Sequence, residues 1–127
     1  DTGIVLGKAF LSALGDKAGI ARFGYFILPM DDALVLASLD FSGRMYFDFE
    51  ADLKAERLGT METEVVREFF MGLAGGVGMN LHIRQMAGEN THHIIEGIFK
   101  SLGRSLRQAC AIEEEYADEI PSTKGVL

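Results

Sequence analysis

Residues 80–112 read NLHIRQMAGENTHHIIEGIFKSLGRSLRQACAI, and the change of period inside this stretch decides the fold class. Asn80–Met86 alternates, Leu81 and Ile83 against Asn80, His82 and Arg84, as a strand with one buried face does. Gly88-Glu89-Asn90 then has turn chemistry. From Thr91 to about Ile112 the apolar residues Ile95, Ile98, Phe99, Leu102, Leu106 and Ala109 recur at helical spacing. One segment therefore commits the domain to both a sheet and a long amphipathic helix.

Working outward, Thr60–Leu73 has the same helical period through Val65, Val66, Phe69, Phe70 and Leu73, with Gly75-Gly76 as its end. Before it, Phe23–Leu28 and Ala33–Phe41 read as strands about the turn Pro29-Met30-Asp31-Asp32, and Met45–Glu50 reads as a third. Residues 2–15 form a helix stopped by Gly15, with Asp1 or Thr2 as cap. The order α, β, β, β, α, β, α predicts an α+β domain, one antiparallel-rich sheet with helices on one face.

Composition narrows the function classes. The chain has 127 residues, enough for a single core. Its net charge of −7 lacks the basic footprint of a nucleic-acid binder. No apolar run approaches a membrane span, and Asp1-Thr2-Gly3 has no basic leader region. The one cysteine, Cys110, has no disulfide partner, as expected in the cytoplasm. It shares a helical stripe with Leu106 and Ala109 and reads as core rather than nucleophile. Glu113-Glu114-Glu115 reads as a solvated helix end.

The chemistry concentrates in His92-His93-Ile94-Ile95-Glu96. If Thr91 caps the helix, His92 and Glu96 stand one turn apart on one face. His93 is rotated about 100° from His92, so the two imidazoles suit two different ions. Imidazole with carboxylate favours Mn, Fe or Zn over Mg or Ca. Since such ligation needs neutral imidazoles, activity and metal-driven assembly should fail together below about pH 6. Glu89-x-x-His92 also has the spacing of a ferritin-like di-iron motif, but that fold needs four long helices and a second such motif, which the strand-rich middle excludes.

Several segments together resemble imidazoleglycerol-phosphate dehydratase of histidine biosynthesis. The matching words are Asp-Thr-Gly-Ile-Val-Leu-Gly at 1–7, Arg-Phe-Gly at 22–24, Pro-Met-Asp at 29–31 and Ser-Gly-Arg at 42–44. They continue with Glu-Phe-Phe at 68–70, Leu-His-Ile-Arg at 81–84, Ala-Gly-Glu-Asn-Thr-His-His-Ile-Ile-Glu at 87–96 and Pro-Ser-Thr-Lys-Gly-Val-Leu at 121–127. The resemblance runs the length of the chain, in order.

It implies a fold of two similar repeats, each a ribosomal S5 domain 2-like half carrying a His-His-x-x-Glu motif. Residues 1–16 would be the last helix of the first repeat, and 17–127 the second repeat with its phosphate-binding tail. A weak internal echo, Leu6-Gly7-Lys8 against Leu102-Gly103-Arg104, agrees with that duplication. In relatives a first metal motif precedes the segment matching residues 1–7, so this chain would contribute the C-terminal half of a shared site. The implied metal ligands are Glu68, His92, His93 and Glu96, with two Mn2+ per complete site.

Arg22, Arg44, Ser122, Thr123 and Lys124 match positions that contact the phosphorylated imidazole substrate. Arginine's planar fork suits a phosphate, and the tail brings hydroxyls, main-chain N–H groups and an ammonium. The implied reaction removes water from imidazole glycerol phosphate to give imidazole acetol phosphate, the metals acting as Lewis acids toward the ring. Glu96 is the best local candidate for proton handling. Relatives assemble as homo-oligomeric shells of twenty-four subunits, so a homo-oligomer is expected. The alternative is a non-catalytic metal-binding fragment that assembles without a complete site. His82 and Arg84 read as a solvated face, and Gly97 as a close helix contact.

Overall fold

The computed structural model describes residues 1–127. Its elements are α1 (Thr2–Leu14), β1 (Phe23–Met30), β2 (Ala33–Asp40), β3 (Tyr46–Glu50), β4 (Arg57–Leu58), β5 (Met61–Glu62), α2 (Glu64–Val77), β6 (Asn80–Ala87) and α3 (Thr91–Cys110). The main sheet has the order β1-β2-β6-β3. β1 with β2 and β2 with β6 are antiparallel, while β3 runs parallel to β6. β4 and β5 form a separate small hairpin.

The core lies between this sheet and α2 and α3. Val35, Ala37, Leu39, Leu81 and Ile83 point inward from the strands and meet Phe70, Leu73, Ile94, Ile98 and Leu102 from the helices. The phenyl ring of Phe99 packs 4.8 Å from that of Phe70 and 5.8 Å from that of Phe69, linking the two helices. Gly97 lets α3 settle on β2, since a Cβ there would lie 3.0 Å from Val35 Cγ2. The opposite sheet face carries Tyr25 and Ile27 from β1, then His82 and Arg84 from β6, beside Asp48 of β3. Arg84 bonds to both Asp48 and Glu50 there, and His82 Nδ1 lies 3.3 Å from Asp48 Oδ2. These groups are the solvated face expected from the alternation.

Three helix boundaries differ from the sequence reading. α2 starts at Glu64, four residues after Thr60, because residues 57–62 are taken up by the β4–β5 hairpin turning at Gly59-Thr60. It also continues through Gly75-Gly76. A Cβ on Gly76 would lie 2.5 Å from Ile4 O, and one on Gly7 would lie 2.6 Å from Leu73 O. These glycines let α1 and α2 approach backbone to backbone, and Gly78, left-handed at φ 76°, ends α2 instead. At α3 the cap is Asn90, whose side chain accepts from the His93 N–H, whereas Thr91 is the first helical residue. Thr91 is occupied elsewhere, its Oγ1 accepting from Ala55 N–H at 3.0 Å.

Candidate metal and anion sites at opposite ends of α3

The first turn of α3 presents the histidines because Asn90 fixes its start and the β1–β2 hairpin packs beside it. His92 Nε2 lies 3.3 Å from Glu96 Oε2, one turn along the same face. Glu96 also holds Lys100 at 2.9 Å, and this ammonium keeps its carboxyl below the ordinary range. His93 turns the other way, toward the hairpin. Its Nδ1 lies 2.6 Å from Asp32 Oδ1, and its Nε2 lies 3.5 Å from Asp31 Oδ2. Each histidine therefore has its own carboxylate, as their rotation about the helix requires.

Asp32 is held in place by the main chain. Its second oxygen accepts from Glu89 N–H at 2.7 Å and Asn90 N–H at 2.9 Å. Those bonds, with His93, keep the Asp32 carboxyl ionised well below the usual carboxylate range. An ionised carboxylate only accepts, so His93 donates from Nδ1, and in the neutral ring Nε2, on the Asp31 side, carries the lone pair. This is how metal-ligating histidines are oriented by a neighbouring carboxylate. The same hydrogen bond raises the His93 pKa in the metal-free chain. The donor chemistry fits a manganese-type ion at each histidine, although no three His, Cys, Asp or Glu side chains converge on one point. The sequence reading missed Asp31 and Asp32. Their signal was the Pro-Met-Asp-Asp turn, whose left-handed Asp31 (φ 50°) closes the hairpin.

Glu68 is not brought to the histidines. It is exposed on α2, lines grooves with Asp1, Thr2 and Gly3 of α1, and belongs to none of the ion pairs.

The other sequence-predicted residues gather at the far end of α3. Arg22 N–H donates to Ala109 O near the helix terminus. Its guanidinium grips Asp40 through Nε at 2.6 Å and Nη2 at 3.2 Å, and Nη1 donates to Pro121 O at 2.8 Å. The tail containing Ser122, Thr123 and Lys124 is therefore fastened beside Arg22. Within it Ser122 Oγ accepts from Lys124 N–H. Arg44 follows in the turn Ser42-Gly43-Arg44, where Ser42 Oγ accepts from Arg44 N–H at 3.1 Å. Gly43 abuts the tail, a Cβ there lying 2.9 Å from Leu127 O. The five candidates thus lie in or beside the tail, Arg22 through its bond to Pro121 O and Arg44 through the approach of Gly43 to Leu127.

A family model described as imidazoleglycerol-phosphate dehydratase matches residues 1–106. The dehydratase of Prochlorococcus marinus (strain AS9601) is 50% identical over all 127 residues, and that of Desulforamulus reducens is 52% identical. The chain spans 63% and 64% of their respective lengths. Among solved structures, the dehydratase from Pyrococcus furiosus, in complex with (S)-C348, superposes with a TM-score of 0.86 at 43% identity. That match covers 100% of this chain and 68% of the other. The Staphylococcus aureus enzyme gives a TM-score of 0.85 at 40% identity, covering 87% and 65% of the two chains. With sequence and fold in agreement, this chain belongs to the imidazoleglycerol-phosphate dehydratase family.

Proposed function

We propose that this chain contributes to the metal-dependent dehydration of imidazole glycerol phosphate in histidine biosynthesis. It would supply a metal-binding end to one active site and a phosphate-binding end to another. The observation that carries this reading is the length of α3. His93 lies in its first turn and Ala109, which holds Arg22, in its last. At 1.5 Å per residue the ends of this 20-residue helix are roughly 28 Å apart. A three-carbon phosphorylated imidazole is far too short to bridge them. Each complete site would then combine His92, His93 and Glu96 of one protomer with the Arg22, Arg44 and Ser122–Lys124 cluster of another.

Manganese bound at His92, Glu96 and His93, with Glu68 as a further candidate, would act as a Lewis acid and stabilise negative charge on the substrate ring. Asp32 holds the His93 ring in its ligating orientation. Arg22, its guanidinium held by Asp40 and Pro121 O, and Arg44 would meet the phosphate with their positive charge, and Lys124 with the hydroxyls of Ser122 and Thr123 would complete the anion pocket. Anchoring the remote phosphate supplies the orientation that the reacting carbons need. Glu96, shared between His92 and Lys100, is placed to move a proton beside the ring. A cytoplasmic homo-oligomer is the assembly this scheme asks for, with α1 as the last helix of a first repeat and residues 17–127 as the second.

Dehydration assayed with Mn2+ tests the reading, using the chain alone and then with the remaining third of a relative's sequence added in trans. Activity that needs the added piece supports a contributed half-site. A mixed assembly of His92→Ala/His93→Ala chains with Arg22→Ala chains should recover about a quarter of full activity, since each site then draws its two ends at random. No recovery, with both variants assembled, would overturn the shared site. The absence of three converging donors within one chain favours the second reading, a non-catalytic metal-binding assembly fragment. Complete inactivity of a folded, metal-loaded assembly under both conditions would establish it.

A further inference from the structure

Lys17 lies in the loop between α1 and β1, and its side chain is almost fully buried at 3% exposure. A buried ammonium is costly unless it is paired or hydrogen-bonded. Here Nζ donates to the main-chain oxygen of Leu127 at 2.8 Å, across 110 residues of sequence. Arg22 stands close enough to depress the Lys17 pKa further, after burial itself. Two cations in one loop disfavour each other, and both occupy left-handed backbone, Lys17 at φ 64° and Arg22 at φ 77°. Non-glycine residues are held there only when their surroundings demand it.

The demand comes from residues 111–127. Gly19 N–H donates to Glu119 O at 2.7 Å and Gly19 O accepts from Glu113 N–H at 2.7 Å, while Arg22 holds Pro121 O. Lys17 adds the outermost contact, at Leu127. Ser122, Thr123 and Lys124 are thus suspended between two fixed points, Arg22 on one side and Lys17 on the other. Leu127 in turn is pressed against Gly43, next to Arg44.

We infer that Lys17 is a positioning residue for the anion pocket: by tethering Leu127 it holds the Ser122–Lys124 segment against Arg22 and Arg44 without itself touching the phosphate. The inference rests on the phosphate-binding reading of that segment. Without the tether the segment would have one anchor instead of two and would pay its ordering entropy on binding.

The test uses inorganic phosphate as probe on five forms: wild type, Lys17→Met, a chain ending after Lys124, those two changes combined, and Ser122→Ala/Lys124→Ala. Hydrogen exchange of residues 119–124 is read beside phosphate affinity, with exchange in α3 as the folding control. The expected result is faster exchange in the tail with α3 still protected, and phosphate binding about tenfold weaker in Lys17→Met, the order for one charge-assisted hydrogen bond. Lys17→Met should have no further effect in the shortened chain, because its acceptor is gone. A tail that stays protected in Lys17→Met overturns the inference. So does a loss of affinity as large in the shortened chain as in the full one. If Ser122→Ala/Lys124→Ala leaves phosphate affinity intact while Lys17→Met still loosens the tail, the phosphate reading fails and the tether stands. Should Lys17→Met unfold α3 as well, the shortened chain alone decides, and unchanged phosphate affinity there counts against the tether.

Discussion

Asp32 and His93 meet across the gap between the β1–β2 hairpin and the start of α3, Oδ1 to Nδ1 at 2.6 Å. The same carboxylate secures the Glu89 and Asn90 amides, so one side chain both closes the turn into α3 and orients the His93 ring. Its pKa is lowered, chiefly by the two amides, and that of His93 is raised, chiefly by Asp32. What Asp32 lends to stability is present above its unfolded pKa near 4 and fades as pH falls. What His93 lends is complete below about 6.5 and is lost as pH rises through its higher folded value. In the metal-free chain, protection of the Glu89 and Asn90 amides should peak between these limits. Asp32→Asn should flatten the profile, and a wild-type profile already flat from pH 4 to 8 would count against the pairing.

The α1–α2 contact should be intolerant of a single methyl group. A Cβ on Gly76 would meet Ile4 O at 2.5 Å and Gly7 Cα at 3.0 Å, and backbone cannot rotate away. Gly76→Ala should lose about 1–3 kcal/mol, the usual cost of overpacking. Gly103→Ala on α3 is the control. Its Cβ would meet nothing within 4 Å, and alanine in an exposed helix gains about 0.5–1 kcal/mol over glycine. Urea melts of the two variants should move in opposite directions.

Arg22 makes three directed bonds, two to Asp40 and one to Pro121. Lysine keeps the charge and loses the fork. Arg22→Lys should therefore weaken phosphate binding by about tenfold or more, roughly 1.4 kcal/mol per factor of ten. Calorimetric titration with phosphate checks this, and wild-type affinity in the variant would show that charge alone suffices there.

Cys110 is half-buried at the end of α3, and burial pushes its thiol pKa upward. The thiolate is the reactive species. Alkylation by iodoacetamide at pH 7.5 should be several-fold slower than for glutathione and should accelerate in urea. Labelling as fast as that of the free thiol would place Cys110 on the reactive surface instead of the helical stripe.

Periodicity carried the four strands of the main sheet and α3, but not the short β4–β5 hairpin, because burial of one face is what periodicity records. It misplaced the start of α2, where Gly59-Thr60 makes a local turn that breaks a hydrophobic pattern otherwise consistent with helix. It also took Gly75-Gly76 for a stop. Glycines inside a helix carry no mark of whether they end it or admit a neighbour, and α1 decides that only in three dimensions. The His92–Glu96 pair was legible because it is local. Asp32 was not, since the Pro-Met-Asp-Asp turn marks only a hairpin and the partnership with His93 spans 61 residues. Arg22 and the tail were named from family resemblance, and their union through Pro121 is a tertiary fact.

The bond from Lys17 to Leu127 also has a kinetic side. Closing a loop of 110 residues from a disordered chain costs about 4 kcal/mol in the length-dependent part of the entropy alone. The hairpins and helices, whose contacts are local, form first and shorten that search. Docking of residues 111–127 is then the expected final event of folding. On that order the tail beside Arg22 is expected to settle last, after the turn bearing His92 and His93 already has its shape.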